Sequence, residues 1–446
     1  MALVQSAKIV EPQAVAHKKS YMSLCSSPDF FRAFFYDTMK QNFDPKTVNY
    51  DLPEDRIALH PLPERDQSKL LIMSKSEDLP SHAHFHDISA LIPTHSLLFV
   101  NVSKVIHARI HCKKESGGMA EVLLNEPAFG APADAMMHIG HSDWKCIIGG
   151  KKITPGMILQ TFDAYFDLTI EVLEKDGMDA IVRLHWNGDH PLSEILEEIG
   201  KLPLPPYLNR EAEEEDEERY QTVYAKNEGS VAAPTAGLHF TDTVFAELKE
   251  KNVVIEELTL HVGLGTFKPF DVEEVDEFTM HPEKIIVRKE VIQSCIDFFS
   301  TEQRGSCIAV GTTSCRTMES LYWFGVGLCN QEFPAWKSGQ FSLGQWDAYA
   351  LFEYAKAPQE SFLAILQWMN HYGLSVIEGR TQLMIIPGYQ WGMIEGLITN
   401  FHQPESTLLF LVSSFLGIDR WRTAYQSALD NEYRFLSYGD SSLLWR

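Results

Sequence analysis

The chain has 446 residues, 45% hydrophobic and 22% charged, globular values on a length that calls for two or three domains rather than one core. Its formal net charge of −23, taken alone, argues against a nucleic-acid binder, which usually shows a basic footprint. The seven cysteines include no CxxC pair, which argues against a zinc or disulfide framework and for reduced thiols in the cytoplasm. Met1–Lys8 lacks a basic region followed by an apolar core, and the longest near-apolar run, Leu408–Ile418, is too short to span a bilayer. Neither a signal peptide nor a membrane partner is expected.

Residues 1–47 read as an N-terminal extension, where Phe30, Phe31, Phe34, Phe35 and Tyr36 suggest a short amphipathic helix. From about 95 to 187 the chain reads as short strands between Gly, Pro and charged turns. They are Leu97–Asn101, Val105–Cys112, Ala120–Asn125, Lys145–Ile148, Met157–Phe162, Tyr165–Leu173 and Ala180–Trp186. Phe166, Leu168, Ile170 and Val172 alternate with polar residues, the period of a half-buried strand. Such spacing predicts a small antiparallel barrel or sandwich. Glu211–Glu218 holds seven acids in eight residues and reads as a solvated helix face or mobile loop. Basic residues gather elsewhere, among them Arg65, Lys69, Lys104 and Arg109.

From about 230 the rhythm becomes α/β. Thr241–Asn252 is helix-like, Val253–Val262 strand-like, Ile308–Val310 a buried strand, Arg316–Phe324 a helix, Leu397–Thr399 a strand end and Pro404–Leu416 a helix. Alternation at the end of Val253–Val262 puts His261 opposite the apolar side. The aromatic-rich stretch 323–377 interrupts the pattern and reads as an inserted helical element, covering a site mouth or meeting a partner.

Four small-residue loops punctuate this half: Gly229–Phe240, Leu260–Phe267, Val310–Arg316 and Thr399–Thr407. Ligands of open α/β sheets lie beyond the carboxyl ends of strands, so the loops are expected on one rim as a composite active site. Val310–Arg316 joins a strand to a helix, and Thr312, Thr313 and Ser314 add hydroxyls to a helix N-terminus suited to a phosphate or carboxylate. An ordinary capped turn is the alternative, since the P-loop lysine is absent. His239, His261, His281 and His402 lie in or beside these segments and could exchange protons near neutrality. None of the four has the HxH or HxxxH spacing of a metal site, so no metal is expected. His281 and Glu283 are two residues apart, an imidazole with a carboxylate to tune it or simply to satisfy a turn.

The ordered blocks resemble the S-adenosylmethionine:tRNA ribosyltransferase-isomerases of queuosine biosynthesis. They are Tyr50–Glu54 with Pro63–Leu71, Arg219–Ala225, Val231–Thr241, Leu260–Phe267, Ala309–Ser320, Leu397–His402 and Tyr433–Asp440. The resemblance frames roughly 48–322 and 378–443. It implies a discontinuous α/β catalytic domain with an inserted small antiparallel β-barrel domain. Here these would be 48–94 and 200–446 for the catalytic domain and 95–199 for the barrel, with 323–377 an atypical insertion. It implies an enzyme that moves the ribosyl part of S-adenosylmethionine, a co-substrate, onto 7-aminomethyl-7-deazaguanine at the tRNA wobble position. Isomerisation yields epoxyqueuosine, and adenine and methionine leave.

On that reading His239, His281, Glu283 and Thr235 are the catalytic candidates. Thr312, Thr313, Ser314, Arg316, His261, Asn400 and His402 are candidates to bind the donor, and Arg65, Lys69, Lys104 and Arg109 to bind RNA. The partner implied is an anticodon stem-loop; a monomer is the first expectation and a dimer the second. The chain departs from the family at Val102, His107, Phe278 and Gln382, where an acid, a proline, a histidine and an aspartate are usual. The alternatives are a divergent paralogue acting on another deazaguanine or RNA and a non-catalytic RNA-binding relative. A methyltransferase fits poorly, because no GxGxG loop follows an early strand.

Overall fold

The computed structural model describes residues 43–162, 166–263, 270, 272, 275–330 and 339–446. The aromatic group Phe30–Tyr36 of the N-terminal extension lies outside them. A ten-stranded mixed sheet runs in the spatial order Phe341–Leu343, Val376–Thr381, Glu283–Arg288, Val254–His261, Leu97–Asn101, Cys307–Val310, Gly396–Asn400, Ser441–Trp445, Lys69–Met73, Ser81–His84. Its centre is parallel: Leu97–Asn101 pairs in that sense with both Val254–His261 and Cys307–Val310, and Cys307–Val310 with Gly396–Asn400. The main loops follow these central strands, so they open at one rim.

The expected barrel is present as a closed six-stranded antiparallel sheet of Arg109–Lys114, Met119–Pro127, His141–Gly149, Ile158–Thr161, Thr169–Asp176 and Asp179–His185. Alternate residues such as Val122, Leu124, Ile170, Val172, Val182 and Leu184 fill its interior. The helix Leu192–Ile199 adds Leu192, Ile195 and Leu196 to that core.

Leu97–Asn101 is a correction. Read as a barrel strand, it sits in the middle of the main sheet with all five residues buried. A run apolar on both faces belongs to a parallel sheet covered on both sides, not to a half-exposed barrel wall. The barrel therefore starts at Arg109. Residues 163–165, where the strand Tyr165–Leu173 was expected to begin, lie outside the described residues; the observed strand is Thr169–Asp176.

The aromatic stretch is likewise more than a cover. Trp323 and Phe324 belong to the helix Gly311–Cys329, and the helix Pro358–Tyr372 packs on it and on Lys289–Ser300. Phe341, Leu343, Phe362, Ile365 and Trp368 join the main core. Residues 331–338 of this stretch are not among those described.

The acidic run forms the helix Glu214–Arg219, and most of its acids are solvated. Asp216 is the exception. It is buried, accepts two hydrogen bonds from Arg210 at 2.6 and 2.8 Å, and accepts a third from the Tyr438 hydroxyl at 2.6 Å. Such a carboxylate is tolerated inside only because its lone pairs are filled.

Candidate active site between barrel and sheet

A cavity of about 560 Å³ lies between the barrel wall and the sheet rim. The barrel contributes Asn125, Glu126, Lys145 and the hairpin Glu174–Ile181; the α/β side contributes Gly229, His261, Phe278–Lys284, Arg316 and Arg380. Val262 and Leu408 also line a second cavity of about 100 Å³, which therefore lies next to the first. Thr235, Thr312, Thr313, Asn400 and His402 face this smaller space. Three of the punctuated loops and the described part of the fourth, His261–Gly263, thus meet at two adjoining compartments; residues 264–267 of that loop lie outside the described residues.

Gly229 explains one close approach. Its φ of +127° is outside the range of L side chains, and a Cβ there would fall 2.4 Å from Pro132 and 3.1 Å from the His261 ring. The absence of a side chain there thereby lets the Gly229 backbone lie close to His261 in the cavity wall. His261 is buried on the face opposite Leu260, so the alternation foresaw its direction but not its burial, which the barrel supplies. Its Nδ1 makes no hydrogen bond. Burial, with Lys284 adding to it, holds its pKa down at about 4, so the imidazole is neutral at pH 7.

Arg316 and Glu283 form a buried pair in the larger cavity, Nη1 to Oε2 at 2.7 Å. His281, next to Pro282 at the strand start, is exposed and lines the same cavity. The helix after Val310 begins at Gly311, earlier than the sequence suggested. Thr312, Thr313, Ser314 and Arg316 therefore occupy its first turns rather than a free loop. Thr313 Oγ1 and Ser314 Oγ are buried without hydrogen bonds, and Ser314 lines neither compartment.

His402 packs at the end of strand Gly396–Asn400, its Nε2 2.9 Å from Thr399 Oγ1, and burial lowers its pKa to about 4. Asn400 donates to the carbonyl of Leu436 at 3.0 Å. His239 stands apart. It lines a separate small cleft with Ser68, Arg65 and Arg434, its Nδ1 2.8 Å from Ser68 Oγ. Burial, opposed by Asn400 and reinforced by Arg434, brings it too to about 4.

The four basic RNA candidates are dispersed and engaged. Arg65 donates to the carbonyls of Glu218 and Gln221, at 2.8 and 2.9 Å, and Lys69 to that of Asn431 at 2.8 Å. Lys104 pairs with Glu228 at 2.9 Å, and Arg109 reaches the Leu204 carbonyl at 3.4 Å beside another cleft. Sequence reasoning missed the barrel's share of the site: Glu126, Lys145, Glu174, Asp176 and Asp179 are outward residues of ordinary strands and carry no local signal. Phe278, where the histidine is usual, also lines the larger cavity and packs on Phe270 with ring centres 5.1 Å apart.

Among the described residues, no cluster of His, Cys, Asp and Glu could hold a metal ion, and no helix is long and apolar enough to cross a membrane.

Residues 46–444 match the family model described as queuosine biosynthesis protein. The chain belongs to this family. Proteins named S-adenosylmethionine:tRNA ribosyltransferase-isomerase are similar to it throughout. The one from Trichlorobacter lovleyi is 35% identical over 90% of this chain and 99% of its own length. The one from Aromatoleum aromaticum is 39% identical over 89% and 96%. A crystal structure of the S-adenosylmethionine tRNA ribosyltransferase from Thermotoga maritima aligns at 25% identity over 89% of this chain and 99% of that one, with a TM-score of 0.43. The family is one of transferase-isomerases, and the barrel-in-α/β architecture is the one that the resemblance implies.

Proposed function

We propose that the chain transfers and isomerises the ribosyl moiety of S-adenosylmethionine onto 7-aminomethyl-7-deazaguanine at the wobble position of a tRNA, giving epoxyqueuosine, adenine and methionine. The observation that carries this reading is the meeting of described parts of the four small-residue loops around two neighbouring compartments, the larger of them walled by the barrel. A volume of about 560 Å³ falls within the range of small-molecule sites, roughly 300–1,000 Å³. The unpartnered His261 Nδ1 and Thr313 Oγ1 are polar atoms a bound donor molecule can satisfy.

The roles follow from position and charge. The sulfonium makes the neighbouring C5′–H acidic, and a base must take that proton. His281, which lines the larger cavity and is solvent-reachable, is assigned this role, with solvent to carry the proton away. His261, neutral because buried, accepts a hydrogen bond without repelling a cation. The Glu283–Arg316 pair holds the wall, and Thr235, Thr312, Thr313, Asn400 and His402 form the polar lining of the smaller compartment for the donor's remaining groups. His239, held by Ser68 in a separate cleft, is assigned a structural role rather than contact with the reacting atoms. The RNA contacts of Arg65, Lys69, Lys104 and Arg109 require a phosphate to compete with their present partners, so they contribute to affinity at low salt.

The deciding experiment incubates the protein with S-adenosylmethionine and a tRNA bearing the aminomethyl-deazaguanine. Free adenine and a wobble nucleoside of epoxyqueuosine mass are expected. An unchanged nucleoside with no adenine refutes the proposal. His281→Ala is expected to abolish turnover and His239→Ala to leave part of it.

A further inference from the structure

We infer that Gln345 and Gln382 are positioning residues that clamp the segment carrying His281. The inference rests on the proposed role of that histidine. The side-chain amide of Gln345 donates to the Phe278 carbonyl at 2.9 Å and accepts from the Met280 amide at 2.9 Å. It closes a two-bond ring on the backbone, as a neighbouring strand would. Gln382 donates from its side chain to the Met280 carbonyl at 2.8 Å. Three backbone polar groups around Thr279 are thus held by two carboxamides from elsewhere in the chain.

The clamp is itself anchored. The Gln382 amide donates to the Leu343 carbonyl at 2.9 Å and the Met384 amide to the Gln345 carbonyl at 3.1 Å. Phe341–Leu343 pairs with Val376–Thr381, which in turn pairs with Glu283–Arg288 so that Thr381 faces Glu283. The strand that starts beyond His281 and the residues before it are therefore fixed by the same unit. Phe278, Met280, His281 and Glu283 all line the larger cavity, so the clamped segment is part of its wall.

Chemistry makes glutamine specific here. A carboxamide both donates and accepts in the plane of a peptide group; an ionised carboxylate cannot donate, and a methionine offers only a weakly accepting sulfur. Gln345 lies in the stretch outside the family's ordered blocks, and Gln382 stands where an aspartate is usual. In this chain, the segment with Phe278 in place of a histidine is thus held by residues that are themselves departures.

The test compares Gln345→Met and Gln382→Met with the parent chain in turnover and in backbone amide exchange. A shift of about 1 Å in a reacting group can cost on the order of 100-fold. The expected result is a kcat lowered about 10- to 100-fold and KM for S-adenosylmethionine and tRNA within roughly twofold, read where each variant remains folded by its unfolding curve. The Met280 amide is expected to exchange at least about tenfold faster in Gln345→Met. Parent-like kcat in both variants overturns the inference, whether or not exchange accelerates. Should Gln345→Met fold poorly, Gln382→Met carries the kcat and KM readouts; should Gln382→Met fold poorly, Gln345→Met carries these and the Met280 exchange. His281→Ala separates the two readings: parent-like turnover there removes His281 as the base. A parent chain without turnover removes the proposed function. In both cases unchanged Met280 exchange in Gln345→Met would still remove the clamp.

Discussion

Replacing His402 by Gln should flatten the chain's loss of stability in mild acid. His239, His261 and His402 are each held at about 4 by burial, against about 6.5 in an unfolded chain. A folded pKa below the unfolded one means that the unfolded state binds protons first. The stability contributed by the neutral imidazole is complete above about pH 6.5 and is lost as pH falls from there toward 4. Between pH 7 and pH 5 the unfolded imidazole gains most of a proton while the folded one gains almost none. The linkage relation gives about 2 kcal/mol per group over that interval, hence about 6 kcal/mol for three. That is a large part of a typical unfolding free energy of about 5–15 kcal/mol. Glutamine retains a polar reach toward Thr399 Oγ1, now 2.9 Å from the imidazole Nε2, without a titration. Urea unfolding of parent and His402→Gln at pH 7 and pH 5 checks this. The variant's loss over the interval should be smaller by about 2 kcal/mol, whatever its stability at pH 7. The imidazole signals of the parent should show His402 titrating only near pH 4. Equal losses in both chains would refute the reasoning, as would a folded His402 that titrates near 6.5.

Other substitutions address the wall of the cavity and its supports. Gly229→Ala must relieve a 2.4 Å approach to Pro132 at a φ of +127°; strain of about 1–3 kcal/mol and displacement of His261 should lower turnover, read against the unfolding midpoint. Glu319 is buried and accepts from the amides of Gly392, Met393 and Ile394 and from the Tyr389 hydroxyl, two donors on each oxygen. Glu319→Gln turns an amide toward at least one N–H and should cost about 1–3 kcal/mol in denaturant unfolding. Arg316→Met strands Glu283 in the interior and should cost about 3–5 kcal/mol, whereas adding Glu283→Gln should restore part of it; strictly additive losses would exclude the pair as a unit.

The sequence was most legible where one period or one loop type dominates. The alternation through Ile170 and Val172 reports a barrel strand, and the small-residue loops after buried strands report the rim. It was least legible where a residue's surroundings come from far along the chain. Leu97–Asn101 looks like any short strand until both its faces prove covered. Asp216 looks like one more solvated acid until Arg210 and Tyr438 fill its lone pairs. His239 and His261 are equally plausible proton carriers in sequence, and only the folded chain puts one in the cavity wall and the other in a separate cleft. The charges of the barrel hairpin join the site solely because two units meet there.

The placement of charge bears on the proposed chemistry. Around the larger cavity the buried ionised groups, Glu283 and Arg316, compensate each other, and the histidine beside them is neutral. Glu174, Asp176 and Asp179 are acidic but lie exposed at the barrel's edge. Lys145, Lys175, Lys284 and Arg380 line the same cavity, so its rim carries both signs of charge; under the proposed function a cationic donor would enter an interior without a buried anion left over for it. Under the proposed function, the desolvation that drives His261 to its neutral form would act on a bound sulfonium in the same sense and would destabilise the cation relative to the neutral ylide left by loss of the C5′ proton. Introducing a buried anion here should therefore tighten donor binding and slow the reaction. Phe278→Asp puts one on the cavity wall: KM for S-adenosylmethionine and kcat should fall together, and a rise in kcat would contradict the argument.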